Sequence, residues 1–242
     1  MTVFIAGAAV LAALLPGQLE RAGELKRGRE MYMEIRREAQ AAIQDDTRSI
    51  EDGMTGVLDT AMKSINKDYT GWIEIPGTGI SYPMVQTDNN DEYLKKDFEG
   101  RDYAGGSIFL DCRCAGDLEE KNTMIYGHCM RDGSMFTDLR RFLDRDFLRN
   151  TGTVLITKGG YRYVYRIFSA FVAKPEEDCF RVEFPSDYDY GKWLERQKER
   201  SQVETAVYPD RSDRIITMVT CHADGSRRCV VQAVLTGTEE AD

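Results

Sequence analysis

Residues 214–235 read RIITMVTCHADGSRRCVVQAVL, and this stretch decides the fold. Ile215-Ile216-Thr217-Met218-Val219-Thr220 is apolar and β-branched, the composition of a buried strand. The text turns polar at His222-Ala223-Asp224-Gly225-Ser226. Arg227-Arg228 then opens a second β-type run, Cys229-Val230-Val231-Gln232-Ala233-Val234-Leu235. Cys221 therefore ends a strand. If the two strands are neighbours, the short loop between them returns an arginine close to its thiol.

The same grammar repeats upstream. Short β-type runs occur at Trp72–Ile75, Tyr82–Val85, Ser107–Leu110, Thr123–Tyr126, Thr153–Thr157 and Tyr161–Ala173. Pro76-Gly77-Thr78-Gly79 and Lys158-Gly159-Gly160 read as turns, the latter a hairpin signal. Eight short strands with glycine-rich punctuation predict a mainly β fold, a closed or nearly closed eight-stranded barrel. Two helices interrupt it, over Ser134–Leu143 and Ser186–Lys198. Ser186 suits an N-cap, and Trp193 and Leu194 suit the apolar face of the second. Before residue 70 the period is helical. Leu19, Ala22, Leu25, Met31, Ile35 and Ala39 mark one amphipathic helix, and Ile50, Met54, Val57, Leu58, Met62 and Ile65 a second. Both read as packed elements, since they lack the clean heptads of a free coiled coil. The expected division is a hydrophobic segment over 1–16, helices packing on the barrel over 17–69, the barrel over 70–236 and a tail over 237–242.

Composition narrows the function. A chain of 242 residues with 42% hydrophobic residues can build a sizeable core. Its net charge of −9 argues against nucleic acid as a partner, because phosphate binding needs a basic surface. Val3 to Leu15 (VFIAGAAVLAALL) is uncharged and closed by Pro16-Gly17. A spanning helix needs about 20 such residues. A shorter run suits a signal-peptide core or a shortened anchor. No Lys or Arg precedes it, and Arg21, Lys26, Arg27 and Arg29 follow it, the wrong side for an exported C-terminal domain. A buried N-terminal helix is the plainer alternative.

Six Cys and two His are present. The cysteines are too scattered for a disulfide scaffold, and Cys112 with Cys114 makes only a C-x-C, short of a zinc pattern. No metal and no cofactor is expected; Asp88-Asn89-Asn90-Asp91-Glu92 reads as a turn and helix start rather than a calcium loop. Two His leave two candidates for imidazole chemistry. His128 follows the apolar run Thr123-Met124-Ile125-Tyr126-Gly127. His222 adjoins Cys221, but adjacent residues in extended chain point to opposite faces. His128 is therefore the better partner for a Cys221 thiolate, with the imidazole moving the proton. By the same alternation Arg227 competes with Arg228 for a role as oxyanion donor or substrate clamp. Each residue also has an ordinary reading. A Cys in a β-rich core is usually a small hydrophobe, a lone His is usually structural, and an Arg at a turn is usually a solvated charge. Cys129 reads as such a bystander. Sequence alone does not show that these residues meet.

Several blocks together resemble the sortases, the cysteine transpeptidases of Gram-positive bacteria, and most closely class B. They are Trp72–Gln86, Asn90–Leu94, Gly106–Asp111, Asn122–His128 with the following Met135-Phe136, Thr217-Met218-Val219-Thr220-Cys221 against a T-L-x-T-C signature, and Arg228. The resemblance covers about residues 17–236 and extends to the two N-terminal helices and the helix before the Cys strand. It departs in a short Cys-to-Arg loop, in His222 where an acidic residue is usual, and in a clipped hydrophobic start. The resemblance implies catalytic His128, Cys221 and Arg228, and a substrate groove touching Asn90, Leu94, Phe180 and Thr220. It implies cleavage of an Asn-Pro-x-Thr-type sorting motif, followed by Asn or Gly, on exported proteins. The product would be a thioacyl enzyme, passed to an amine of a peptidoglycan precursor or a pilin. It also implies a membrane-anchored chain with its catalytic domain outside the cell. The rival readings are a cysteine peptidase that only hydrolyses, a non-catalytic membrane-anchored binding module, and a redox or metal protein built on Cys112 and Cys114. Asn90, Leu94 and Phe180 also read plainly as a turn residue and two core residues.

Overall fold

The structure is a computed structural model and describes residues 22–41, 56–221 and 226–241. Eight strands close a mixed barrel: β1 (Tyr69–Glu74), β2 (Ser81–Val85), β3 (Ile108–Leu110), β4 (Asn122–Tyr126), β5 (Thr153–Lys158), β6 (Tyr161–Ala173), β7 (Ile215–Cys221) and β8 (Arg228–Glu240). Their order around the wall is β1-β2-β3-β4-β7-β8-β6-β5. Two contacts are parallel, β2 with β3 and β4 with β7; the others are antiparallel. Ile73, Met84, Ile108, Ile125, Ile156, Ile216, Met218 and Val231 belong to one buried core.

Local chemistry explains the connections. β5 and β6 pair Lys158 with Tyr161, leaving Gly159-Gly160 as a two-residue turn. Both glycines have positive φ, 62° and 77°, which the primed hairpin turns require. β8 runs beyond Leu235 to Glu240 because the first residues of β6 need a ladder partner; Tyr161 pairs with Glu240 and Tyr163 with Thr238.

Among the described residues four α-helices decorate the barrel: α1 over 22–41, α2 (Val57–Ile65), α3 (Arg145–Thr151) and α4 (Asp187–Glu199). α1 buries Met31, Tyr32, Ile35 and Ala39 against the main core. Its Tyr32 hydroxyl donates to Gly106 O at 3.0 Å, and Arg36 donates to Ser81 O at 2.7 Å and Gly79 O at 2.9 Å. α2 buries Leu58 and Met62; Ile50 and Met54 of the expected helix lie outside the described residues. α4 starts where expected: Asp189 N–H donates to the Ser186 hydroxyl at 3.2 Å, and Trp193 and Leu194 are buried. The expected helix over 134–143 is instead a 3-10 segment over Thr137–Leu143, followed by α3, which the periodicity did not announce.

The expectation of a membrane-anchored chain with an extracellular domain is corrected. Among the described residues no helix is long and apolar enough to cross a membrane. α1 has the length, but it carries Glu24, Lys26, Arg27, Arg29, Glu30, Glu34, Arg36, Arg37 and Glu38, and its one apolar face is already buried on the barrel. Val3–Leu15 lies outside the described residues.

Candidate active site

Three strand ends meet at one rim. β4 and β7 run parallel with Tyr126 opposite Val219, and Gly127 N–H donates to Val219 O at 3.1 Å, carrying the ladder one step further. His128 and position 221 each lie two residues beyond that pair. β7 and β8 run antiparallel with Cys221 opposite Arg228 and Val219 opposite Val230. Strand alternation puts positions 219, 221, 228 and 230 on one face. That face is the outer one: Val219 packs with Cys114 and Met124, and Val230 with Phe171 and Cys179, outside the main core.

Thr220 and Cys229 face each other across the ladder and are both buried. The Thr220 hydroxyl has no hydrogen-bond partner among the described residues. Arg228 is half-buried and its Nη1 donates to Arg227 O at 3.2 Å, while Arg227 is exposed. His222 lies outside the described residues.

His128 is half-buried and is held by a loop. Its Nε2–H donates to the Leu94 carbonyl at 2.8 Å, so the chain's backbone orients the ring at that position. Gly106 makes the approach feasible. It sits at φ +58°, and a Cβ there would come within 2.5 Å of Tyr93 O and 2.9 Å of Leu94 O.

The other expected groove residues belong to a polar network around Asp111. Asn90 Oδ1 accepts from Cys112 N–H at 2.8 Å. Gln86 Nε2 donates to Asp111 O at 2.9 Å and Cys114 O at 2.8 Å. The Asp111 carboxylate accepts a two-pronged bond from Arg113, Nε at 2.9 Å and Nη2 at 2.7 Å, and a bond from the Tyr126 hydroxyl at 2.9 Å. Burial alone pushes this carboxyl up; the donors Arg113, Tyr126 and Asn90 outweigh it and bring it down to about 2. Arg113 Nη2 also donates to Phe180 O at 3.2 Å. Phe180 packs on both outer clusters, touching the groups that hold Val219 and Val230. The sequence reading singled out Asn90, Leu94 and Phe180 but gave no role to Gln86, Gly106, Asp111 or Arg113. An Asp followed two residues later by Arg resembles a surface turn, so only the Gly106–Asp111 block pointed here.

Three other cysteines, Cys114, Cys179 and Cys229, are buried. Burial pushes Cys114 up to about 11 and Cys179 and Cys229 up to about 12, which disfavours the reactive thiolate. Among the described residues no group of three or more His, Cys, Asp or Glu is arranged to hold a metal ion.

Comparison with known proteins agrees with this architecture. Residues 73–236 match the Sortase domain family. Sortase B of Listeria monocytogenes is 38% identical over 163 residues, 67% of this chain and 66% of its own length. Sortase B of Staphylococcus aureus is 33% identical over 176 residues, 72% of each chain. The S. aureus sortase B–substrate complex superposes with a TM-score of 0.81 at 29% identity, covering 87% of this chain and 97% of that one. The chain belongs to the sortase family, whose members are cysteine transpeptidases. Within that family its relatives are of class B.

Proposed function

We propose that this chain is a class B transpeptidase that cuts a sorting motif of the Asn-Pro-x-Thr type and joins its threonine carbonyl to an amine. In this reading the Cys221 thiolate attacks the threonine carbonyl carbon. The resulting oxyanion takes hydrogen bonds from Arg228, whose planar fork also suits holding a motif carbonyl. The C–N bond then breaks, and protonated His128 gives its proton to the departing amine. A thioester to Cys221 remains. An incoming amine attacks it, His128 takes the amine proton, and the thiolate leaves as the new amide forms.

The observation that carries the reading is the register: positions 221 and 228 are paired, and His128 follows at the end of the adjoining parallel strand. With Nε2–H turned to the Leu94 carbonyl, Nδ1 is the nitrogen left for proton transfer. Half-buried Arg228, directly opposite Cys221, is favoured over exposed Arg227. A solved sortase B is described as complexed with triglycine, which favours an amine at the end of a short peptide as acceptor. A cell-wall precursor or a pilin would supply such an amine.

The test is a motif-peptide library incubated with the protein, with and without triglycine, and read by mass spectrometry. The expected result is a thioester adduct on Cys221 and a ligated product when triglycine is present. Acid product only, at every triglycine concentration, would make the protein a hydrolase. No adduct and no cleavage would leave a binding module.

A further inference from the structure

The groove wall carrying Phe180 lies in the connection between β6 and β7, far in sequence from the strand carrying His128. Among the described residues two side-chain links join them: Asn122, at the start of β4, donates its Nδ2 to Arg181 O at 2.7 Å, and a second link reaches Phe180 itself from the end of β4 nearer His128. Asp111, whose side chain is only 1% exposed, holds Arg113, which is 49% exposed, and Arg113 reaches Phe180 O. On its other side Asp111 accepts from Tyr126, two residues before His128 on the same chain. It also takes a bond from Asn90, on the loop that leads to Leu94. One carboxylate therefore collects three segments that border the rim: 90–94, 111–114 and 122–128. Through Arg113 it fastens a fourth, 178–184. The Phe180 ring lies over the outer face of β7 and β8, beside Val219 and Val230, one alternation away from Cys221 and Arg228.

We propose that Asp111 and Arg113 are positioning residues for motif recognition, fixing the Phe180 wall of the groove relative to the strand that carries His128. The idea rests on the transpeptidase reading above. Neither residue touches the reacting atoms. A bidentate Arg–carboxylate pair has a defined geometry, so the guanidinium presents its outer edge to Phe180 O at a fixed place. Loss of that tether loosens the wall at Phe180, while Asn122 still holds Arg181 O and Trp193 still holds Asp178 O, and it leaves undisturbed the β4–β7–β8 ladder that brings the catalytic positions together. The peptide should then bind less well, while chemistry on bound peptide proceeds.

The discriminating variant is Arg113→Gln. Asp111 then keeps its bonds from Tyr126, Asn90 and the Arg113 backbone N–H, so the buried carboxylate is not stranded. Wild-type cleavage of the motif peptide is measured first; its absence would defeat the transpeptidase reading and not the tether. With wild-type active, Arg113→Gln should raise KM about tenfold and change kcat less than about twofold. Alkylation of Cys221 by a small reagent should keep its rate. Arg113→Lys, which lacks the fork, should recover only part of the loss. In a Phe180→Ala background Arg113→Gln should add little further, because two changes acting through one contact are not additive. A fall in kcat at constant KM, full additivity with Phe180→Ala, or a wild-type KM in Arg113→Gln would each overturn the proposal. Asp111→Asn serves as a second variant with the same expected KM effect; should it fail to fold, Arg113→Gln decides alone.

Discussion

The two sides of the candidate groove are held by different forces. The rim bearing residues 128, 221 and 228 is fixed by main-chain ladders, with every step from Asn122 opposite Ile215 to Cys221 opposite Arg228 in register. The facing walls, 86–94, 111–114 and 178–184, have few ladder bonds and hang on side chains, among them Gln86, Asn90, Arg113, Asp111, Asn122 and Trp193. A ladder tolerates side-chain change at any one position, whereas a side-chain network fails when one member is lost. In the proposed reading, chemistry sits on the part that sequence drift disturbs least, and recognition on the part that single substitutions can retune.

The largest effects should come from the rim. Cys221→Ala is expected to abolish both cleavage and thioester trapping, because it removes the sulfur to which the acyl group would be bound. His128→Ala should cost about 10²–10⁴-fold in kcat/KM, the usual range for a lost general acid–base. Arg228→Lys should fall by about 10²-fold, since an ammonium cannot replace the fork at an oxyanion. All are read as kcat/KM on one motif peptide, with unchanged melting for His128→Ala. If Arg227→Ala is inactive while Arg228→Ala is active, the oxyanion role moves to the neighbouring residue and the paired register loses its meaning.

Much of the rim could be read from the chain. Ile215–Thr220 and Cys229–Leu235 announce strands, and Lys158-Gly159-Gly160 announces the hairpin between β5 and β6. Ser186 announces α4. What the chain could not announce was that β4 lies beside β7: parallel neighbours about 90 residues apart share no turn and leave no local mark. The walls were less legible still. α3 escaped notice because Arg145–Thr151 is polar and buries only Leu148, although Asp144 caps it by accepting from Phe147 N–H at 2.9 Å. Asp111 and Arg113 look like turn residues until Phe180 O, 67 positions away from Arg113, is seen against them. Asn90 is expected to meet substrate from the resemblance; that its side-chain oxygen also accepts from Cys112 N–H left no mark in the sequence.

An intermediate effect probes the junction of the two sides. Gly106→Ala would force a Cβ toward the Tyr93 and Leu94 carbonyls at a backbone conformation that alanine avoids. The strain is expected to cost about 1–3 kcal/mol of stability. Because Leu94 O orients His128, kcat should fall with it, by about tenfold. A destabilised variant with unchanged kcat would show that the Leu94 carbonyl does not set the imidazole.

The smallest effect tests whether the walls depend on charge. Asp111 in the folded chain is brought down to about 2, whereas an unfolded aspartate titrates near about 3.9. The folded state therefore binds fewer protons than the unfolded state between these values, and stability falls as pH falls through that window. Above about 4 the contribution is complete, so Asp111 gives no pH dependence to motif binding near neutrality. Denaturant unfolding of wild type and Asp111→Asn should differ at pH 7 and at pH 5, and the gap should close as pH drops from about 4 toward about 2. Main-chain ladder bonds, by contrast, carry no titrating group. A gap that stays constant to the acid limit would mean that the walls are held by shape and neutral hydrogen bonds, and that the Asp111–Arg113 pair adds no charge-dependent strength to them.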